Sequence, residues 1–99
     1  AEVAAWCKDH GVALTFVLCP THDDMAKRRE AWHLTEQYET IKKQLAALAP
    51  TLDLDYPSAL TRDRSAFSDP SHLTGEWNRI VPQAIARGEG PWIQRVTAP

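Results

Sequence analysis

Three features of this 99-residue chain predict an α/β fold built on a parallel sheet. Residues 12–18 form an apolar run with β-branched and aromatic members, closed by Pro20, the pattern of a strand covered on both faces. Residues 51–55, Thr-Leu-Asp-Leu-Asp, alternate between Pro50 and Pro57 and read as a second strand. Between the two runs lies an amphipathic stretch long enough to carry a right-handed crossover, which makes the strands parallel.

The elements follow in order. Residues 1–10 are rich in helix formers, with Val3, Trp6 and Cys7 on one side and Gly11 where a helix end favours a left-handed residue. After the first strand, residues 23–33 are polar and basic around Lys27, Arg28 and Arg29, and read as a loop passing into a solvated helix. Leu34, Tyr38, Ile41, Leu45 and Leu48 then recur at helical spacing, a stripe expected to face the core, in a helix that ends before Pro50. Residues 56–73, dense in Asp, Ser, Pro and Thr, read as a long loop. Trp77, Ile80, Val81, Ala84 and Ile85 mark a last helix, with Thr74 as its expected N-cap, Pro82 inside it and Gly88 past its end. The tail, residues 89–99, carries Trp92, Ile93 and Val96 without a clear period. The predicted order is helix, strand, helix, strand, helix.

Composition narrows the function classes. Leu, Ile, Val and Phe number 20 of 99 residues, enough for a folded but thin core. Eleven Lys and Arg against 13 Asp and Glu give a formal charge of −2, no electrostatic footprint for nucleic acid or anionic lipid. The longest apolar run, residues 12–18, falls far short of the roughly 20 residues that span a bilayer. Two parallel strands do not make a stable buried sheet, because such sheets commonly hold four to six strands covered by helices. Residues 1–99 are therefore expected to be a single partial domain, completed by the remainder of a larger domain or by another chain.

In open α/β sheets the functional crevice lies beyond the carboxyl ends of the strands. Two loops fall there, one with His22, Asp23 and Asp24, the other ending in Phe67-Ser-Asp-Pro-Ser-His-Leu-Thr74. An Asp three residues before a His, just ahead of a helix, can set its carboxylate against imidazole Nδ1 while Nε2 faces outward as a general base. Asp69 and His72 are thus candidate catalytic residues; as plain loop residues they would be a capping carboxylate and a surface imidazole. His22 and Asp23, on the same edge, are candidate substrate-binding residues.

The block from Phe67 to Val81, with Asp69-Pro-Ser-His72 ahead of the last helix, resembles the C-terminal block of SGNH/GDSL-type serine hydrolases. The resemblance implies a flavodoxin-like three-layer α/β/α sandwich of which this chain is the C-terminal part. It implies His72 as general base, Asp69 as its orienter and a nucleophilic Ser outside this chain, near the start of the domain. The wording is closest to extracytoplasmic acyl-transfer branches, which implies an extracytoplasmic setting and a small-molecule, glycan or lipid ester as substrate, with no cofactor. Trp77 stands where family members often carry Gly. The Gly-Asp-Ser block and the family's oxyanion donors are absent, Asn78 being the only Asn, so this chain alone is not expected to hydrolyse esters. Ser58, Ser65, Ser68 and Ser71 lack the Gly-flanked turn that exposes a nucleophilic hydroxyl.

Two other classes stand beside the hydrolase. One is a non-catalytic α/β interaction module that binds a partner through the Leu34–Leu48 stripe or the Lys27–Arg29 patch. The other is a metal-dependent hydrolase using His22, Asp23, Asp24 and His72. Cys7 and Cys19 each precede a His by three residues, a zinc-like spacing, but a strand between them holds the pairs more than about 15 Å apart. The same separation disfavours a Cys7–Cys19 disulfide, and both thiols are expected to be buried small hydrophobes.

Overall fold

A computed structural model describes residues 1–98. The described residues form four helices, a mixed three-stranded sheet and a separate two-stranded one: α1 (Glu2–Asp9), β1 (Phe16–Leu18), α2 (Asp23–Ala31), α3 (Thr35–Leu48), β2 (Thr51–Asp53), β3 (Phe67–Asp69), β4 (His72–Leu73), α4 (Trp77–Arg87) and β5 (Gln94–Arg95). The expected strand pair is present and parallel, with Phe16 opposite Thr51 and Leu18 opposite Asp53. The sheet is not all-parallel, however. β5, from the tail, pairs antiparallel with β2 and makes it the central strand, in the order β1-β2-β5. The tail also seats Trp92 in the core, edge-on to Trp77.

Alternation along β2 explains the layering. Leu52 and Leu54 point to one face and join Leu60, Ala66, Trp92 and the α4 residues Val81 and Ala84 in the core. Asp53 points to the other face, where Lys42 of α3 donates to its Oδ2 at 2.9 Å. Helices α3 and α4 therefore cover opposite faces of β2.

Lys42 also corrects the reading of α3. The helix turns Tyr38, Lys42, Leu45 and Ala46 inward and leaves Leu34, Ile41 and Leu48 exposed. The apolar stripe was expected to face the core; the sheet-facing stripe is instead amphipathic, because β2 offers carboxylates on that side. Similarly, α1 buries Cys7 but exposes Val3 and Trp6. Strand β1 is shorter than residues 12–18 and only half-buried, since it lies at the sheet edge. Cys19 is exposed rather than buried, and both thiols are free.

Helix ends follow the sequence closely at their C-termini. Gly11 and Gly88 take φ of 67° and 77°, and each closes a Schellman pair: Val12 N–H to the Cys7 carbonyl and Glu89 N–H to the Ala84 carbonyl. His33, at φ 57°, ends α2 in the same way, with Leu34 N–H donating to the Arg29 carbonyl. The start of α4 differs from expectation, for its N-cap is Glu76, with no side-chain cap, and not Thr74.

The expected loop of residues 56–73 is structured. A 3-10 turn, Arg64–Ala66, capped by Asp63, leads into a β3–β4 hairpin that pairs Asp69 with His72. Among the described residues no helix is long and apolar enough to cross a membrane.

Candidate active site

Asp69 ends β3 and His72 begins β4, with only Pro70 and Ser71 between them. The tight hairpin brings the two side chains together: both carboxylate oxygens of Asp69 lie 2.8 Å from His72 Nδ1. Ser71 fixes the carboxylate, donating from its N–H at 2.9 Å and its hydroxyl at 3.2 Å to Oδ1. The Ser71 N–H first, and His72 second, hold the Asp69 carboxyl below the usual carboxylate range. A carboxylate with a lowered pKa stays ionised at neutral pH and loses its hold on the imidazole only as pH falls through that lowered value.

The pair lies at the surface. The His72 side chain is 73% exposed and that of Asp69 50%, and Nε2 of His72 has no protein partner among the described residues. Ser71 Oγ lies 3.4 Å from Nδ1, the nitrogen already held by Asp69. Ser68 Oγ contacts the His72 carbonyl at 3.4 Å, Ser65 serves Asp63 and Ser58 is tied to Thr61. None of the four serines meets Nε2.

The hairpin docks on the loop after β1, which puts both sequence-predicted loops on one edge of the sheet. His22 N–H donates to the Pro70 carbonyl at 2.8 Å, and the His22 ring meets Phe67 edge-on at 5.7 Å. His22 caps α2, its Nδ1 accepting from Asp24 N–H at 3.2 Å. Between the loops runs a cleft of about 360 Å³ lined by His22, Asp24, Arg64, Phe67, Asp69 and Pro70. His22 therefore lines a cleft shared with Asp69. Asp23 does not; it borders a smaller cavity of about 120 Å³ beside Tyr38 and Asp55, and Asp24 takes the place expected for it.

Below this edge lies a polar network that the sequence reading did not identify. Asp53, Asp55 and Lys42 are buried. Lys42 Nζ donates to Asp53 Oδ2 at 2.9 Å and to the Asp55 carbonyl at 2.7 Å, while Gln94 of β5 donates to the same Asp53 oxygen. Asp55 accepts from Thr21 N–H at 3.0 Å and Thr21 Oγ1 at 2.6 Å, and from the Tyr38 hydroxyl. Burial, then the bond to Asp55, pushes the Tyr38 phenol far above its usual range. Through Thr21 the network fixes the residue next to His22. The available signal was the Leu-Asp-Leu-Asp alternation itself, together with a Lys one turn after Tyr38.

The residues weighed for metal do not converge. No group of three or more His, Cys, Asp or Glu is placed to hold an ion among the described residues; His22 and Asp24 face the cleft while Asp23 faces the smaller cavity. Comparison with protein-family models, with curated proteins and with solved structures returned no match.

Proposed function

We propose that this chain is the base-bearing, C-terminal part of an SGNH-type serine esterase or O-acyltransferase. The observation that carries the reading is the Asp69 carboxylate on His72 Nδ1 at 2.8 Å, with Nε2 open to solvent on the carboxyl edge of a parallel strand pair. A carboxylate that accepts the Nδ1 proton leaves Nε2 with a lone pair, able to take a proton from a serine hydroxyl and return it to the leaving alkoxide. His72 is the general base and Asp69 its orienter. The nucleophile and the oxyanion donors come from outside residues 1–99, in keeping with the absence of any serine at Nε2.

Completion of the sheet is part of the proposal. Among the described residues strand β1 pairs only with β2, so one backbone edge is open to further strands. Trp6, Val3, Trp32, Ile41 and Leu48 are exposed apolar side chains that added layers of a flavodoxin-like sandwich would cover. The same residues support a second reading, a non-catalytic module that binds a partner through its apolar surface.

The test is the intact mass of the native gene product before and after treatment with a fluorophosphonate, which marks activated serines. A product longer than these 99 residues that gains one label, and gains none as the His72→Ala variant, is the expected result. A product that takes no label overturns the hydrolase and leaves the binding module.

A further inference from the structure

The cleft beside the dyad holds a polar group that the dyad chemistry does not use. The His22 side chain is only 9% exposed, yet its Nε2 has no hydrogen-bond partner among the described residues. Among the described residues no fully buried side-chain nitrogen or oxygen is left unpartnered, so Nε2 touches solvent, and His22 lines the cleft. Its protonation follows from the other nitrogen. A backbone N–H can only donate, so Nδ1, which receives Asp24 N–H, carries a lone pair and Nε2 carries the proton. The Asp24 carboxylate also lies 3.4 Å from Nδ1, but its closer contact is Arg64 at 3.1 Å. Were the ring to protonate and face that carboxylate instead, Nε2 would still be a donor.

The remaining walls define what the donor can meet. Phe67 and Pro70 supply apolar surface, Asp24 and Asp69 supply acceptor oxygens, and Ser68 adds a hydroxyl that can donate or accept. Two carboxylates against the single guanidinium of Arg64 leave one net negative charge on the wall, which disfavours an anionic ligand. The complement is a neutral, flat group with one acceptor oxygen and adjacent N–H donors. We propose that this cleft is a binding subsite for a carboxamide group, its carbonyl accepting from His22 Nε2–H and its N–H donating to the Asp24 or Asp69 carboxylate. This extends the hydrolase reading to what is held beside the dyad, and it requires neither the nucleophile nor turnover.

Acetamide and acetate, nearly equal in shape and different in charge, are the probes. With the full chain labelled with ¹⁵N, acetamide is expected to shift His22 Nε2 and the Phe67 and Asp24 amides saturably, while acetate at the same concentrations does not. His22→Asn keeps a capping oxygen for Asp24 N–H but removes the Nε2 donor; binding is expected to weaken about tenfold, the equivalent of one hydrogen bond, with α2 amide protection retained. N-acetylglucosamine and N-acetylglycinamide then distinguish an acylated sugar from a peptide as the source of the amide, the true source binding more tightly than acetamide. Equal or stronger binding of acetate, no saturable shift, undiminished binding by the Asn variant, or no binding by either larger amide overturns the subsite. Fluorophosphonate labelling reads the hydrolase independently, so the two ideas fail separately.

Discussion

Replacement of His72 by alanine in the full gene product is expected to lower ester turnover by about 10⁴-fold or more, the scale on which triad members act. The side chain is exposed and its ring contacts are Asp69 and Ser71, so the thermal midpoint is expected to stay almost unchanged. Asp69→Asn is expected to lose roughly 10³- to 10⁴-fold, because an amide can present its N–H to Nδ1 and move the imidazole proton to the wrong nitrogen. Steady-state hydrolysis of a chromogenic acetyl ester, paired with thermal unfolding, separates the two properties. A His72→Ala protein that keeps a tenth or more of its turnover contradicts the assignment.

The second large effect concerns stability. Lys42→Met removes the ammonium that donates to the buried Asp53 carboxylate and to the Asp55 main-chain carbonyl and leaves Asp53 without that counter-charge, a loss expected at about 3–5 kcal/mol. That is a large share of the roughly 5–15 kcal/mol available to a small domain, and urea unfolding should show it as a much lower midpoint. Adding Asp53→Asn to Lys42→Met removes the stranded charge and is expected to recover part of the loss; the double-mutant cycle measures how much belongs to the pair. The effect should reach the site, because Asp55 of the same network holds Thr21 beside His22. A Lys42→Met protein within about 1 kcal/mol of wild type would show that the neutral donors on Asp53, Gln94 and the Asp55 N–H, satisfy it without the ion pair.

Local chemistry was legible where it is dictated within a few residues. The glycine stops at Gly11 and Gly88 follow from left-handed backbone, and the Asp69–His72 contact follows from a separation of only three residues. Long-range pairing was not. β5 has two residues, too few for a period, and it forms because β2 has a free edge and Trp92 fits beside Trp77. The stripe on α3 misled because hydrophobic periodicity assumes an apolar core, whereas the face of β2 that receives this helix carries Asp53. Lys42 is then worth more inside than Ile41, and Leu34, Ile41 and Leu48 of the stripe turn outward. The hairpin within residues 56–73 was hidden by its composition, since Asp, Ser and Pro read as loop even where two short strands flank a turn.

The most direct test of the dyad is the tautomer of His72, read by long-range ¹H–¹⁵N NMR at about pH 8, above the ordinary imidazole range. The expected result is a proton on Nδ1, directed at Asp69, and a bare Nε2, with a changed pattern in Asp69→Asn. A proton resident on Nε2, or a spectrum indifferent to Asp69→Asn, would mean that the carboxylate does not orient the ring and that His72 is not poised as a base.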